Sequence, residues 1–378
     1  KKMAQVGIER LSNKTIFAIF CCLMIACSLF ILKTTLTGYT NQTPAATVTS
    51  SPSKYHDPPE TKSGHVYQTP VATAASNPSK YHDHPETKSG KCLKNYFEDV
   101  LLIIVYHFPF YESIPLLESF YNEAFKNFLI CGPKSYSLHQ IMVVNLSSGW
   151  YGYECVGEAI RRYPGYRGYL YINDDMVVNW WTFYKLDKGK FWFGATIGDA
   201  NCHVMGRRPI RNDWMWWSAK TPSAKGCEAS YAEIMQKNNH SNAHINITKL
   251  IKTHLDNGKG VKICFKGWSD LFYVPGRFSD QWQRISSVFY KNRVFLEAAV
   301  PTIMSFLDSR DSWEKHYGLY LPDKYGFLNF ADGKKVWKNY NYDIKFIHPV
   351  KFHGNIAKAN QQKMTNEIIP HSRQFTKC

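Results

Sequence analysis

The hydrophobic and polar positions divide the chain into four zones. Residues 1–14 form a short basic segment, whereas residues 15–32 contain no charged side chain. As a helix, this uncharged run spans roughly 27 Å, which is enough for a thin bilayer. Residues 33–91 have almost no large aliphatic side chains, and these return over residues 92–378. The pattern predicts a cytoplasmic tail, a transmembrane helix, a stem and one folded domain, in that order.

The basic residues around the uncharged run predict its orientation. Four of them precede it, whereas after Lys33 the next basic residue is Lys54. Because basic residues stay on the cytoplasmic side, the positive-inside rule places the folded domain in the lumen of the secretory pathway, as in a type II membrane protein. A cleaved signal peptide is the alternative, but the run is longer than a usual signal core and no clear cleavage site follows.

The stem contains a duplication. The segment PSKYHDPPETKSG at Pro52 returns as PSKYHDHPETKSG at Pro78, 26 residues later. Neither copy has an apolar face that could stack on a neighbour, and Ser, Thr and Pro dominate the composition. We therefore expect a disordered, extended spacer that holds the folded domain away from the membrane.

The folded domain alternates strand and helix patterns. It opens with the continuous apolar run DVLLIIVYHF, Asp99–Phe108, which is typical of a strand buried on both faces of a parallel sheet. A helical pattern follows over Tyr111–Phe125, and NFLICG and QIMVVNL predict two more strands. Gly152–Gly165 predicts a second helix, stopped by Pro164, before the strand GYLYI. This order predicts an α/β fold.

Composition narrows the class of protein. The chain of 378 residues is 44% hydrophobic and 15% aromatic, so it can bury a large core, and its formal net charge is +16. The Lys and Arg residues are scattered singly and do not form runs, which argues against nucleic-acid binding. The excess charge is either a solvated surface or an attraction for an anionic substrate such as a phosphate-bearing donor.

Cysteine usage agrees with a lumenal domain. Three of the ten cysteines lie in the uncharged run, and seven lie in residues 92–378 without a CxxC pair. Scattered disulfides in an oxidising compartment are therefore expected, not a zinc site. The odd number leaves at least one cysteine unpaired or intermolecular, so the partners considered include a second copy in a disulfide-linked or stalk-mediated dimer.

Two adjacent carboxylates, Asp174 and Asp175, follow the strand GYLYI. In α/β sheets, ligands bind beyond the carboxyl ends of the strands. Two like charges side by side are unfavourable unless a cation lies between or beside them. Mn²⁺ or Mg²⁺ would meet this requirement and could bridge the carboxylates to a substrate diphosphate. The alternative is a simple turn after a strand, which Asn-Asp also favours.

The first strand and the Asn173-Asp174-Asp175 motif resemble the nucleotide-diphospho-sugar glycosyltransferases of type II Golgi topology. The resemblance covers about Cys92 to His353 and implies a GT-A-like, Rossmann-like mixed sheet flanked by helices. More narrowly, the segments GYLYINDDMVVNWW, VFLEAAVPTI and FIHPVKF are similar to the STELLO-like group of glycosyltransferases. The resemblance implies that Asp175 binds the metal ion and that Asp174 faces the sugar or ribose. Asn173 departs from the acid found in many members.

The resemblance also implies where the nucleotide binds. The end of the first strand, here Tyr106 and His107, would line the base pocket. The helix before the carboxylates would lie alongside, with Tyr153 and Arg161. For Tyr106 the alternative is core packing, and for Arg161 it is a surface charge.

Three later residues complete the candidate site. An inverting transfer needs a general base, and Glu297 stands alone in an apolar, helical run while Asp270 adjoins an apolar strand. We prefer Glu297, with Asp270 second; Glu297 paired with Arg293 and Asp270 as a turn residue are the alternatives. The resemblance also implies a late histidine as the third metal ligand, for which we prefer His348 to His353, and an imidazole ligand favours Mn²⁺. Lys351 could reach a phosphate.

Together these features predict a glycosyltransferase in the Golgi or endoplasmic reticulum membrane. A nucleotide sugar would be the donor, and a glycan, glycoprotein or glycolipid the acceptor. The alternative is a lumenal binding or scaffold protein that keeps the transferase fold without turnover. A hydrolase is disfavoured because the chain lacks GxSxG and HExxH motifs.

Overall fold

The computed structural model describes residues 92–147, 149–195, 202–204, 222–237, 246–321, 336–338, 340–354 and 357–377. The predicted tail, transmembrane helix and stem lie outside the described residues. Of the helices within the described ranges, none combines the length and the apolar character needed to cross a membrane.

A seven-stranded mixed sheet forms the centre of the domain. Its strands are β1 (Val100–Val105), β2 (Asn127–Gly132), β3 (Ile141–Val143), β4 (Gly168–Asn173), β6 (Trp192–Ala195), β9 (Leu271–Pro275) and β10 (Glu314–Tyr317). Their order is β3-β2-β1-β4-β9-β6-β10. The first four are parallel, and β9 runs antiparallel to both of its neighbours, β4 and β6. The predicted mixed α/β sheet is confirmed.

Two smaller sheets and eight helices complete the described part. The remaining strands are β5 (Val177–Val178), β7 (Cys202–Val204), β8 (Ile263–Phe265), β11 (Leu319–Tyr320) and β12 (Phe346–His348). Strands β11, β12 and β5 form one small sheet, and β7 pairs with β8. The α-helical segments are α1 (Ile114–Tyr121), α2 (Glu154–Arg162), α3 (Pro222–Lys237), α4 (Ile247–Asn257), α5 (Ser279–Lys291), α6 (Leu296–Leu307), α7 (Ala357–Lys363) and α8 (Ile369–Ser372).

The first strand explains why the sheet has helices on both faces. All six residues of β1 are buried, as its continuous apolar run predicts. Leu101, Ile103 and Val105 pack on one face, against a core that includes residues of α2, α5 and α6. The alternate residues, with Leu102 and Ile104 among them, pack on the other face against α1 and the carboxyl-terminal helices. Each buried aliphatic side chain contributes about 1.5–3 kcal/mol, so both layers hold the strand centrally.

The predicted elements agree with the structure in type and differ at their ends. The helix predicted over Tyr111–Phe125 is a short 3₁₀ turn followed by α1, which ends at Tyr121. Pro115 lies in the first turn of α1, where its missing N–H costs nothing. The predicted disulfides are confirmed by Cys131–Cys155, which joins the end of β2 to the start of α2, and by Cys227–Cys264. Cys92 is also disulfide-bonded.

The pairing of β5 with β12 brings the carboxyl-terminal segment to the carboxylates. Val177 lies opposite Ile347 in an antiparallel register, so the residues before β5 meet those after β12. The N–H of Val350 then donates to the carbonyl of Asp175, 2.6 Å away. This connection between distant parts of the chain creates the candidate site.

Candidate functional site

Asn173 is the centre of a hydrogen-bond network at the end of β4. Its amide Nδ2 donates to Asp270 Oδ1 at 2.7 Å, while its Oδ1 accepts from the Tyr171 hydroxyl at 2.8 Å. His107 Nε2 lies 3.0 Å from the same Oδ1. The side chain is buried, and it uses both its donor and its acceptor. The neutral residue at this position therefore has a structural reason, because a carboxylate here would face that of Asp270 without a proton to share.

Asp175 is held between two cationic side chains. Its Oδ2 forms an ion pair with the ammonium of Lys351, and its Oδ1 lies 3.3 Å from His348 Nε2. The same His348 nitrogen is 3.6 Å from Asp270 Oδ1. The Asp175 side chain is only 9% exposed, whereas that of Lys351 is 31% exposed. The structure thus brings together five residues singled out in the sequence: Asp174, Asp175, Asp270, His348 and Lys351.

The electrostatics of this cluster differ from residue to residue. Burial alone would lower the pKa of His348, but the carboxylates of Asp270 and Asp175 outweigh it and raise that pKa to about 9. Burial and the negative charge of Asp175 raise the pKa of the partly exposed Asp174. Burial opposes the ionisation of Asp175, but Lys351 and His348 hold its pKa well below the usual value. Asp175 is therefore firmly ionised, with two cationic side chains beside it.

His348 should make the stability of the domain depend on pH. Its pKa is about 9 in the folded protein and about 6.5 in an unfolded chain, so its contribution is complete below pH 6.5 and is lost as the pH rises through 9. We expect wild-type stability to fall by about 3 kcal/mol more than that of His348→Gln between pH 6.5 and 9.5. Denaturant unfolding at a series of pH values measures the difference, and parallel profiles would contradict it.

The donor chemistry at this cluster fits a divalent ion. Carboxylate oxygens and an imidazole nitrogen suit Mn²⁺. The separations of 3.3 and 3.6 Å from His348 Nε2 to the two carboxylate oxygens resemble the spacing of about 3–3.6 Å between neighbouring ligand atoms on one ion. As the side chains lie, however, no three His, Cys, Asp or Glu residues in the described ranges form a metal site. The cations placed against Asp175 are the ammonium of Lys351 and the ring of His348.

An aromatic surface adjoins the cluster. Phe110 stacks on the ring of His353, with centroids 3.9 Å apart and planes inclined by 18°. Phe108 and Phe110 are 50% and 38% exposed, which is unusual for phenylalanine. The charges of Lys351 and Asp175 both affect the pKa of His353, which burial lowers, so the surface is close to the carboxylates. Sequence analysis missed these rings, although HFPFY directly after a buried strand was a usable signal.

Three of the residues predicted to bind the nucleotide form their contacts with residues outside the cluster. Tyr106 is fully buried, and its hydroxyl hydrogen-bonds with Ser113 Oγ at 2.8 Å. Tyr153 is also fully buried, and its hydroxyl donates to the carbonyl of Val294. Arg161 lies at the exposed end of α2 and pairs with Glu158. Tyr106 and Tyr153 are thus packed in the core and Arg161 carries a surface charge, whereas His107 lies within hydrogen-bond distance of Asn173 in the cluster.

The two candidate bases occupy different positions. Asp270 belongs to the cluster, and its side chain is 14% exposed. Glu297 lies in the first turn of α6, and its main-chain carbonyl accepts from the N–H of Gly267, three residues before Asp270. Trp268, between these points, packs edge-on against Tyr320 with centroids 4.0 Å apart. Aromatic and acidic groups therefore meet on the Asp270 side of the cluster.

Comparison with known proteins finds a distant similarity to probable glycosyltransferases. No protein-family model matches the chain. The probable glycosyltransferase STELLO2 of Arabidopsis thaliana is 22% identical over 228 residues, which cover 60% of this chain and 27% of that protein. STELLO1 of the same plant is 22% identical over 167 residues, covering 44% and 19% respectively. This chain is a distant relative of probable glycosyltransferases.

The match has a limited extent. The aligned region spans about a quarter or less of the length of these curated relatives. It confirms the STELLO-like resemblance and supports a glycosyltransferase-like function at the level of the family. The proposals for the donor, the acceptor and the metal ion therefore rest on the site, and the proposal for the cellular location rests on the sequence.

Proposed function

We propose that this protein is a glycosyltransferase that moves a sugar from a nucleotide-diphosphate donor to a glycan, protein or lipid acceptor. The observation that carries the proposal is the meeting of Asp175, Asp270, His348 and Lys351 beyond the end of β4. Ligands of α/β sheets bind at such strand ends. The mixed sheet, with the antiparallel β9 beside β4, would then be a GT-A-like sheet.

Each residue of the cluster has a separate role in this proposal. Lys351 supplies a point charge for a donor phosphate. Asp175 would hold Mn²⁺ or Mg²⁺ together with His348, whose ring would release a proton to solvent as the ion binds. The bound ion would neutralise charge that develops on the leaving diphosphate. Asp174 lies next to Asp175 with part of its surface exposed, which suits a contact to the sugar or ribose. Asn173 and His107 fix the turn that presents both carboxylates.

Two aromatic groups near the cluster suit two different substrates. The exposed rings of Phe108 and Phe110 offer stacking surface for a nucleobase near the diphosphate. Trp268 packs against Tyr320, whose ring centroid is 5.5 Å from that of His348, and aromatic rings pack well against the apolar faces of sugars. Asp270 is therefore our first candidate for the base that removes the acceptor proton, with Glu297 second.

The proposed location rests on the sequence. We propose that the uncharged run over residues 15–32 anchors the protein in the Golgi or endoplasmic reticulum membrane, with the stem and the folded domain in the lumen. Nucleotide sugars are anions, and the net charge of +16 would favour their approach.

A nucleotide-release assay tests the proposed function. The full chain, purified in mild detergent, is incubated with a panel of UDP- and GDP-sugars, with Mn²⁺ or with EDTA. We expect release of one nucleotide in the presence of Mn²⁺, and its loss in Asp175→Ala. Equal release by the wild type and the variant would exclude this site. No release from any donor would favour a binding protein, for which the Lys351–Asp175 ion pair would be purely structural.

A further inference from the structure

Both carboxylate oxygens of Asp175 already have cationic neighbours. Oδ1 lies 3.3 Å from His348 Nε2, and Oδ2 accepts a hydrogen bond from the ammonium of Lys351. Only 9% of the Asp175 side chain is exposed, so little water screens these contacts. A metal ion that binds Asp175 must therefore displace the Lys351 ammonium or bind against its repulsion.

The main chain of Lys351 is fixed, whereas its side chain can move. Asn360 Nδ2 donates to the Lys351 carbonyl at 2.8 Å, and the preceding residue, Val350, is hydrogen-bonded to the main chain of Asp175. The Lys351 side chain is 31% exposed and carries its charge on a flexible four-carbon stem. The ammonium can therefore turn from Asp175 to an anion above the site without a change of the fold.

The balance of charge decides when the move of the Lys351 ammonium from Asp175 to an anion is favourable. Lys351 neutralises Asp175 in the described state, so a divalent ion alone would add uncompensated charge to a poorly hydrated site. A diphosphate supplies negative charge for the ion and an alternative partner for the ammonium. We infer that Lys351 competes with the divalent metal for Asp175, and that the metal binds strongly only when the donor diphosphate draws the ammonium away. The inference rests on the proposed function because the diphosphate is its second ligand.

Measurement of Mn²⁺ binding to the full chain tests this inference and does not require catalysis. Free Mn²⁺ is measured by electron paramagnetic resonance, with and without UDP, and with GDP in a parallel series. For the wild type we expect the nucleotide to increase Mn²⁺ affinity at least about tenfold, and Mn²⁺ to increase nucleotide affinity by the same factor. Lys351→Met should bind Mn²⁺ about tenfold more tightly than the wild type without nucleotide, with a smaller nucleotide effect.

Lys351→Arg is the matched control, because it keeps the positive charge and should bind Mn²⁺ as weakly as the wild type. Thermal unfolding verifies that each variant is folded. If Lys351→Met is unfolded, the wild-type titrations decide, and nucleotide-independent Mn²⁺ binding overturns the inference. Equal Mn²⁺ affinities of the wild type and Lys351→Met, with nucleotide binding intact, overturn the inference alone. If the wild type binds neither nucleotide, with or without Mn²⁺, the proposed function fails together with it.

Discussion

Asparagine in place of Asp175 is expected to lower the free energy of unfolding by about 3 kcal/mol and to abolish nucleotide release. The replacement keeps the shape of the side chain but leaves the Lys351 ammonium and the His348 imidazolium without their shared carboxylate. Removing one partner of a buried ion pair typically costs 3–5 kcal/mol. We expect the lower end, because Lys351 is partly exposed and His348 can lose its proton. Denaturant unfolding and the release assay are run on the same preparations.

A second substitution separates the two effects. In Asp175→Asn/Lys351→Met the unpaired ammonium is gone, so most of the lost stability should return while release stays absent. Asp256→Asn is the control, since Asp256 forms an exposed helical pair with Lys252 and its loss should change stability by less than about 1 kcal/mol. Stability of Asp175→Asn equal to that of the control would show that the cluster is not a coupled set of charges.

The parts of the site that depend on local sequence could be predicted. The continuous apolar run of β1 and the strand GYLYI carry a pattern that only a doubly covered sheet satisfies, and both strands are present. Asp174 and Asp175 follow β4 directly, so their place at the strand end required only the direction of the chain. Asp270 was predicted beside a strand, and β9 begins at the next residue.

The contacts between distant segments could not be predicted from local patterns, and only the family resemblance placed His348 near Asp175. Strands β5 and β12 are only two and three residues long, too short for a periodic pattern, yet their pairing brings Lys351 to Asp175. The aromatic residues show the same limit. Tyr106 and Phe108 both follow the end of β1 at Val105. Tyr106 is buried, and its N–H still donates to the carbonyl of Cys131 in β2, whereas Phe108 is half exposed. Composition does not distinguish a core tyrosine from a binding tyrosine.

Asn173→Asp should destabilise the domain by about 2–4 kcal/mol at pH 8, although it only replaces the side-chain amide with a carboxyl group. Asn173 donates to Asp270 and accepts from Tyr171 and His107, so an ionised carboxylate would lose the donor and face the carboxylate of Asp270. A buried like-charge pair without a proton is unfavourable by this order of magnitude. Denaturant unfolding of the variant and the wild type at pH 8 measures the loss.

The pH dependence identifies the cause of that loss. The neighbouring carboxylate raises the pKa of the new carboxyl group above its unfolded value, so the protonated form becomes favourable as the pH falls and can again donate to Asp270. The difference from the wild type should therefore shrink between pH 8 and pH 5. Asn145→Asp is the matched control, because Asn145 is exposed and its Oδ1 only accepts from the N–H of Ser147. If the loss of unfolding free energy in Asn173→Asp does not change with pH, its cause is altered packing and not charge. The reason given for a neutral residue beside the two carboxylates would then be wrong.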